Sequence, residues 1–556
     1  MKEILLLLLI CGLSSCGKET EPKPNILFIM MDDLGYGQLG VNNDTLSPTD
    51  FDPFFIHLVD SLQGYLPQTA LEYSRQAVPS LTALAQNGIV FRNAYVSSSL
   101  CAPSRLGIAT GIHQNRFGVY SNGDGEAGGF PPGSLLVEQL KNAGYRTAHV
   151  GKWHIGSRDQ EVLNDILKRH GLSEKTAYRE LALRYPEIYN EVENSGYYGS
   201  VIAEHHPLNN GFEYYFGYNT WASQFYHSTL VWENFAHAGK QKGYNTDVFT
   251  QKALDFMKEQ EAGAQPFFLQ LHYHAVHDSL EPRAPDRYLA PFTSPFPDLN
   301  NFYAHMYGVD QNVGKIIAYL KSEGLYENTL IIFTSDNGAM AAGRHKGHKI
   351  GSPLPGNAPF SGHKGNLYQG GIRVPMFIHW PEKIREPFVS NHLVSTLDIL
   401  PTAIEAATGK APENLDGKSL IPLQNNPALP PIHDYLFGAG VHASAWGFLI
   451  EKTTKDHITE RPFAPPAWVL IQKDFLLRFT GTLPAGVYKE YINGREPILE
   501  LFDLNTDPAE TQDLAEIYSE RVAQMSRLYY EEAATLPPPV VWERGKWEEV
   551  IQPVEP

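Results

Sequence analysis

The chain alternates short apolar runs with amphipathic segments over most of its length. A short apolar run bounded by polar residues is typical of a strand buried on both faces of a parallel sheet, whereas apolar positions three and four apart predict helices. The predicted strands are residues 25–31, 89–91, 145–150, 266–271, 329–333 and 376–379. The predicted helices include residues 80–87, 134–143, 301–320 and much of 159–195. This alternation predicts an α/β fold in which one large, mainly parallel (mixed) sheet is sandwiched by helices.

The pattern changes near residue 430, where short strands replace the alternation of strands and helices. Strands are predicted at residues 468–471 and 475–479, and a helix at 511–534. We therefore predict a main domain over residues 25–430 and a smaller C-terminal α+β subdomain over residues 431–556. Residues 41–78 follow neither pattern and are interpreted as an irregular insertion in the main domain.

The N-terminus has the organisation of an export signal. Lys2 precedes an apolar run over residues 4–10 that is too short to span a bilayer. The run is followed by Leu13-Ser14-Ser15-Cys16, which resembles the lipobox of bacterial lipoproteins, in which the cysteine becomes the lipidated N-terminus. Residues 1–16 are then a signal peptide, residues 17–24 a tether, and the protein an exported lipoprotein of the periplasm or the outer-membrane surface. The alternative is an ordinary cleaved signal peptide with a chance cysteine.

Composition narrows the classes of function. The 556 residues are 42% hydrophobic, which is typical of a globular protein, and the net charge of −18 argues against nucleic-acid binding. There are three cysteines. Cys11 would leave with the signal peptide and Cys16 would carry the lipid, so Cys101 is the one cysteine of the folded body. An internal disulfide is thereby excluded.

Polar residues follow several of the predicted strands directly. They are Asp32 and Asp33, Lys152 and His154, His277, and Asp336 with Asn337. Open α/β sheets carry their sites at the carboxyl ends of the strands, so we expect these side chains to meet. Three carboxylates and an amide offer oxygen ligands, which favour a hard cation such as Ca²⁺ or Mg²⁺. Each string alone is equally typical of a polar turn or a core histidine, so the prediction depends on their occurring together.

Cys101 lies in the string Cys101-Ala102-Pro103-Ser104-Arg105. Pro103 suits the first turn of a helix and Gly111 its end, so Cys101 is predicted just ahead of a helix N-terminus, where free N–H groups favour anionic chemistry. The string resembles the signature of the type I, formylglycine-dependent sulfatases of the alkaline phosphatase superfamily. Gly151-Lys152-Trp153-His154, Asp336-Asn337-Gly338 and residues 502–510 resemble further parts of that family, so the resemblance covers nearly the whole mature chain.

The resemblance implies a chemistry for each of these residues. Cys101 would be oxidised to formylglycine by a maturating enzyme, and it would complete a Ca²⁺ site, with Mg²⁺ as the less favoured ion. The other metal ligands would be Asp32, Asp33, Asp336 and Asn337. Arg105 and Lys152 would hold the formylglycine, and His154 would hydrogen-bond its hydroxyl. His277 and Lys364 would bind the sulfate and assist the leaving oxygen.

We therefore expect a lipid-anchored sulfatase that hydrolyses sulfate esters of a poly- or oligosaccharide. Two alternatives remain open: a phosphate or phosphonate monoester hydrolase of the same superfamily, and an inactive glycan-binding lipoprotein on the same scaffold. The aromatic segment 214–221 is interpreted as core packing, with stacking on sugar rings as the alternative. The chain departs from the family at Ile112, where the signature often ends in arginine, and at Gln38 and Gln369, where acidic residues are common.

Overall fold

The computed structural model describes residues 22–62, 64–176, 178–259, 265–341, 343–345, 348–424, 426–440, 467–480 and 498–537, and residue 540. The predicted signal peptide, its Cys16 and most of the predicted tether lie outside these residues. Within the described part, no helix is both long and apolar enough to cross a membrane.

Ten strands form the large sheet, in the order β12-β2-β11-β8-β1-β7-β3-β4-β5-β6. Their bounds are β1 (Asn25–Met31), β2 (Ile89–Tyr95), β3 (Arg146–Lys152), β4 (Tyr214–Tyr218), β5 (Trp232–Glu233), β6 (Ala236–His237), β7 (Phe267–His272), β8 (Thr329–Ser335), β11 (Met376–His379) and β12 (Phe388–Ser395). A separate two-stranded ribbon pairs β9 (Gly343–His345) with β10 (His348–Ile350). The neighbours from β8 to β4 all run parallel, and the antiparallel strands lie toward the edges, so the predicted mixed α/β sheet is confirmed.

Helices cover both faces of this sheet. They are α1 (Gly40–Asn43), α2 (Pro53–Leu62), α3 (Pro67–Gln76), α4 (Pro79–Gln86), α5 (Cys101–Thr110), α6 (Asn122–Gly128), α7 (Val137–Asn142), α8 (Gln160–Arg169), α9 (Tyr178–Arg184), α10 (Pro186–Asn194), α11 (Asn245–Lys258), α12 (Asp286–Leu289), α13 (Pro297–Ser322), α14 (Gln369–Ile372) and α15 (Ile399–Thr408). Successive side chains of a strand point to opposite faces. Leu27 and Ile29 of β1 accordingly join a core with α11 and α13, whereas Ile26 and Phe28 join another with α7 and α15.

The C-terminal part forms an antiparallel sheet of four strands, β13 (Leu436–Gly440), β14 (Ala467–Gln472), β15 (Phe475–Thr480) and β16 (Ile498–Asp503), with α16 (Ser519–Ala533) beside it. Buried charged groups join it to the main sheet. Arg478 pairs with Glu510 and lies 3.5 Å from the ring centroid of Tyr368, and Glu510 accepts a 2.7 Å hydrogen bond from the N–H of Gln369. The smaller α+β unit is thus present, while its exact boundary at residue 431 stays a prediction.

Three details of the predicted elements were wrong. Residues 41–78 are largely helical, since they contain α2 and α3, both of which begin with a proline. The last helix begins at Ser519 rather than at residue 511, because the Asp507 carboxylate accepts hydrogen bonds from the N–H groups of Thr511 and Gln512 and holds them in a turn. Cys101 is the first residue of α5 and does not precede it, and Pro103 is the third.

Candidate active site

The strand register brings the predicted site residues to one edge of the sheet. Met31 at the end of β1 pairs with Ser335 at the end of β8, and Met30 pairs with His272 at the end of β7. His272 in turn pairs with Gly151 of β3. The loops that follow these four strands therefore leave the sheet at neighbouring points. They carry Asp32, Asp33, Asp336, Asn337, Lys152, His154 and His277.

The backbone turns sharply at two of these positions. Asp33 has a φ of 61° and His154 a φ of 52°, a left-handed conformation that is uncommon for residues other than glycine. The turn at Asp33 is fixed by its own N–H, which donates to Asp336 Oδ1 at 3.2 Å, and by the N–H of Leu34, which donates to Ser335 Oγ at 2.9 Å. Strained conformations of this kind persist where the surroundings hold them, and they concentrate at functional sites.

Helix α5 delivers Cys101 to the same place. The helix ends at Gly111, whose φ of 63° suits a left-handed C-cap, and its first residue is the buried Cys101. The Cys101 Sγ lies 3.8 Å from Asp32 Oδ1. One ligand atom each from Asp32, Asp33, Cys101 and His277 all lie within 4.8 Å of one another. These four side chains could therefore face a single small ion.

Three basic side chains surround the carboxylates. Lys152 Nζ lies 2.7 Å from Asp32 Oδ2, and Lys364 Nζ lies 2.7 Å from Asp33 Oδ1. Arg105 reaches Asp336 through Nη2 at 2.8 Å, and its Nη1 donates to the carbonyl of Lys152 at 2.9 Å. Lys152 and Arg105 are fully buried, whereas the side chains of Lys364 and His277 are 11% and 10% exposed. The latter two border the open side of the site.

Asn337 provides the observation that bears most directly on a metal. Its Nδ2 donates to Asp33 Oδ1 at 2.7 Å and to the carbonyl of Gly338 at 2.9 Å, so the amide lies against the Asp33 carboxylate. Within the described residues this buried Oδ1 has no hydrogen-bond partner. A buried oxygen without a partner is costly, and a cation at this position would satisfy it. The residues present therefore fit a hard, oxygen-preferring cation.

Burial and neighbouring charges shift the pKa values of the site residues in different directions. Burial alone would raise the pKa of Asp33, but Lys364, His277 and Lys152 together hold it well below its usual value. Burial raises the pKa of the unmodified Cys101 thiol to about 12. Burial also lowers the pKa of His277 to about 3, with the charge of Lys364 adding to the effect. The site thus combines an ionised carboxylate with a neutral imidazole at ordinary pH.

His154 lies beside these groups without being tied to them. Burial lowers the pKa of His154 well below its usual value, and the charges of Lys152 and Arg105 act in the same direction. Neither of its ring nitrogens has a hydrogen-bond partner in the described part of the chain, although Nε2 lies 3.8 Å from Glu126 Oε1. A neutral imidazole in this position could accept a proton from a neighbouring hydroxyl.

Sequence reasoning missed several residues that the fold adds to the site. His274 Nδ1 lies 3.9 Å from Asp32 Oδ2 and accepts from or donates to Tyr218 OH at 3.0 Å. Glu126 of α6 and the exposed Trp221, which follows β4, lie at its margin. His274 lies in the same string as His277, which was a usable signal, and Trp221 ends the aromatic segment for which sugar stacking was the alternative interpretation. Glu126 is distant in sequence from every predicted site residue.

All the predicted residues lie at this edge of the sheet. Asp32, Asp33, Cys101 and His277 form the closest group, Asn337 is bonded to Asp33, and Asp336 is bonded to Arg105. Lys152 and Lys364 each contact an aspartate, and His154 lies alongside. Their individual roles as ligands or catalytic groups stay predictions. The aromatic segment is divided: Tyr215, Phe216 and Tyr218 are buried as predicted, whereas Trp221 is exposed.

The protein has a helix-covered mixed sheet with basic and acidic side chains at the ends of its central strands. This is the architecture of the alkaline-phosphatase-like hydrolases. The family model "Sulfatase" matches residues 24–410, and the chain therefore belongs to the sulfatase family. The uncharacterized sulfatase YdeN of Escherichia coli (strain K12) is 35% identical over 405 residues, which are 72% of this chain and 66% of that protein. The N-acetylgalactosamine-6-sulfatase of Mus musculus is 29% identical over 443 residues, 76% of this chain and 69% of that protein.

Solved structures agree on the fold. The structure of Ps i-CgsB in complex with k-i-k-neocarrahexaose superposes with a TM-score of 0.65 at 22% identity, covering 96% of this chain and 98% of that one. The chain spans about two thirds of the length of the two curated relatives and nearly all of this solved structure. These relatives class the chain as a sulfuric ester hydrolase.

Proposed function

We propose that this sulfatase removes sulfate from a sulfated poly- or oligosaccharide, using a formylglycine formed from Cys101 and a Ca²⁺ ion held by Asp32, Asp33, Asp336 and Asn337. One observation carries the proposal: the buried Cys101 Sγ lies within 4.8 Å of carboxylate oxygens of Asp32 and Asp33 and of a ring nitrogen of His277. This closeness supports a nucleophile, a cation site and an imidazole that act on one small volume, in a chain of the sulfatase family.

The absent groups would supply two things: the cation would polarise the sulfate oxygens, and the hydrated aldehyde would provide the attacking hydroxyl. Side chains of the protein bind the sulfate and hold the carboxylates in place. Lys364 and His277 border the open side, so they are the groups that an entering sulfate meets first. Lys152 and Arg105 are buried behind them and fix Asp32 and Asp336 in place.

Proton movement is assigned to the two histidines. His154 is neutral and its ring nitrogens have no hydrogen-bond partner among the described residues, which supports a role in taking a proton from the hydroxyl at Cys101. His277 Nδ1 donates to the carbonyl of Asp278, so Nε2, 3.8 Å from Asp33 Oδ2 on the open side, must first gain a proton before it can hydrogen-bond the ester oxygen that leaves. Preorganised cations and donors of this kind stabilise charge that develops in a transition state.

The proposal that the substrate is a carbohydrate is supported by the named relatives and by the charges of the site. A matched relative is named N-acetylgalactosamine-6-sulfatase, and a solved structure of the same fold holds a neocarrahexaose. Three basic side chains balance the three carboxylates of the site, so a bound divalent cation would make the site positive and suited to an anionic ligand in a protein whose net charge is −18.

Mass spectrometry of the peptide that contains Cys101 tests the nucleophile, with protein made in a host that has a maturating enzyme. We expect the mass of the aldehyde or its hydrate, and release of sulfate from 4-nitrophenyl sulfate and from sulfated oligosaccharides. Cys101→Ala is the matched control and is expected to release none. Unmodified thiol in every preparation, without sulfate release, would overturn the mechanism and favour the inactive glycan-binding alternative.

A parallel assay with 4-nitrophenyl phosphate separates the two hydrolase classes. Much faster turnover of the phosphate than of the sulfate would identify a phosphate monoester hydrolase on the same site. The family match and the named relatives support the sulfatase instead.

We further propose that the protein is an exported lipoprotein anchored through Cys16. The support is the string Leu13-Ser14-Ser15-Cys16 after a short apolar run. Metabolic labelling with radioactive palmitate in a bacterial host should mark the wild type and leave Cys16→Ser unlabelled. Equal labelling of both proteins would contradict the anchor without affecting the proposed chemistry.

A further inference from the structure

Trp221 is the exposed end of an otherwise buried aromatic segment. Tyr215, Phe216 and Tyr218 of β4 are at most 1% exposed, whereas Trp221, three residues past the strand, is 56% exposed. An indole is large and mainly apolar, so an exposed one offers a plane on which the apolar face of a ligand can pack.

The backbone fixes this residue at the site. The carbonyl of Trp221 accepts a 2.6 Å hydrogen bond from Lys152 Nζ, the same atom that lies 2.7 Å from Asp32. Two residues earlier, the N–H of Asn219 donates to the carbonyl of Gly199, and its Nδ2 donates to the carbonyl of Gly156. The exposed side chain therefore stands on an anchored loop, and its position is set before any ligand arrives.

The indole also faces a residue that we assign to the sulfate. Its ring centroid lies 6.2 Å from that of His277, with an angle of 47° between the ring planes. His277 borders the open side of the site, so a molecule whose sulfate lies beside His277 must pass its attached group close to Trp221. The neighbouring side chains of Gln224 and His227 are exposed and polar, which suits a ligand with both apolar and hydroxylated surfaces.

We propose that the indole of Trp221 is a platform on which the sugar ring that carries the sulfate stacks. A pyranose ring has an apolar face of C–H groups and a rim of hydroxyls, and such a face packs well on an aromatic plane. Trp221 is then a substrate-binding residue that favours sulfate esters carried by a pyranose ring. This inference rests on the proposed sulfatase function and adds the contact that recognises the carbohydrate.

The test compares four variants in steady-state kinetics on 4-nitrophenyl sulfate and on a panel of sulfated galactose, N-acetylgalactosamine and their oligosaccharides. Trp221→Phe retains an aromatic plane, Trp221→Leu retains only apolar bulk, and Trp221→Ala removes both. Phe235→Ala is the matched control, because Phe235 is 59% exposed and stacks on His206 instead of a site residue.

We expect Trp221→Ala and Trp221→Leu to raise the KM for the sulfated sugar about 10–100-fold, which corresponds to about 1.4–2.8 kcal/mol, with little change in kcat. Trp221→Phe should recover most of the loss, and Phe235→Ala should behave as the wild type. Unfolding midpoints should be unchanged, since the indole is exposed.

The outcomes separate this inference from the proposed function. A wild type that cleaves neither class of substrate fails as a sulfatase. A wild type that cleaves sulfated sugars while Trp221→Leu matches Trp221→Phe, or while Trp221→Ala keeps its KM, remains a sulfatase without the platform. Cleavage of 4-nitrophenyl sulfate alone, with no sugar of the panel accepted, overturns the platform as well.

Discussion

Each acidic side chain at the centre of the site forms an ion pair with a basic neighbour. Asp32 contacts Lys152, Asp33 contacts Lys364, and Asp336 contacts Arg105. Buried ion pairs are stable only when their geometry is good and their remaining atoms are bonded. The Asn337 Oδ1 is the exception, because it lies among these groups without a partner in the described residues.

Replacing Asn337 by alanine should weaken calcium binding about 10–100-fold, because it removes a buried oxygen that has no other partner among the described residues. The measurement is the thermal unfolding midpoint as a function of calcium chloride concentration. A ligand that binds only the folded state raises the midpoint as its concentration exceeds its Kd, so the variant's curve should move to higher calcium.

Asn337→Asp serves as the matched variant, since it retains an oxygen at the same position, and it should keep calcium binding. Both variants lose the bond from Nδ2 to Asp33, so their difference reports the carboxylate oxygen together with its charge. If the midpoint of the alanine variant depends on calcium concentration as that of the wild type does, Asn337 is not a calcium ligand.

At the scale of elements, the site depends on how closely the strands approach where they end. Gly151 of β3 has a φ of 112°, and a Cβ built on it would lie 1.9 Å from the carbonyl oxygen of His272 in β7. The neighbouring strand therefore leaves no room for a side chain. Lys152 follows directly, so the position of its ammonium group depends on this contact.

Gly151→Ala should lower both stability and kcat, because β3 must move away from β7 and carry Lys152 with it. Gly144→Ala is the matched control: it has a φ of 87°, but a Cβ there meets nothing within 4 Å. The control should lose about 1 kcal/mol from backbone strain alone and keep its activity. Urea unfolding and turnover of 4-nitrophenyl sulfate measure the two effects. Equal behaviour of both variants would show that the close approach is unimportant.

Six of the ten strands of the large sheet were predictable because their local pattern is determined by burial on both faces, whereas β4, β5, β6 and β12 were missed. The structure begins or ends β1, β7, β8 and β11 within two residues of the prediction, since each is a continuous apolar run followed by a polar loop. Helices α2 and α3 were missed because their prolines and aspartates resemble a loop in sequence, whereas a proline at the first helical position is favourable.

The site was predictable as a set of residues and less so as a set of contacts. Adjacent residues such as Asp32 and Asp33 are visible in a motif, but the contact between Lys364 and Asp33 joins positions 331 apart. No local pattern encodes such a pairing. The exposure of Trp221 was also not predictable, because an aromatic segment does not reveal which of its rings faces solvent.

At the scale of the whole molecule, the small sheet is tied to the active-site side of the large one. Glu510 accepts from the N–H of Gln369, and Gln369 Nε2 donates to the carbonyl of Pro508. Gln369 begins α14, five residues after Lys364. The C-terminal unit therefore braces the segment that brings Lys364 to Asp33, and this contact runs through the position where the family commonly has an acidic residue.

The molecule also buries several histidines in the neutral form, away from the proposed metal ligands. Burial lowers the pKa values of His113, His149 and His363 to about 4 and that of His305 to about 3. Two buried carboxyls act in the opposite direction, since burial raises the pKa of Asp278 to about 7 and that of Asp310 to about 6. The histidines outnumber them, so unfolding in mild acid should take up protons.

The free energy of unfolding should therefore fall as the pH decreases from 7 to 5, by about 4 kcal/mol after the two carboxyls are included. A histidine whose pKa is lower in the folded state stabilises fully above about pH 6.5 and loses that contribution as the pH approaches 4. Urea unfolding at a series of pH values measures the slope. His113→Gln should make it shallower by about one proton, whereas Asp310→Asn should make it steeper, because it removes an opposing group. A stability that is constant or rising toward pH 5 would mean that these histidines gain protons within the folded protein.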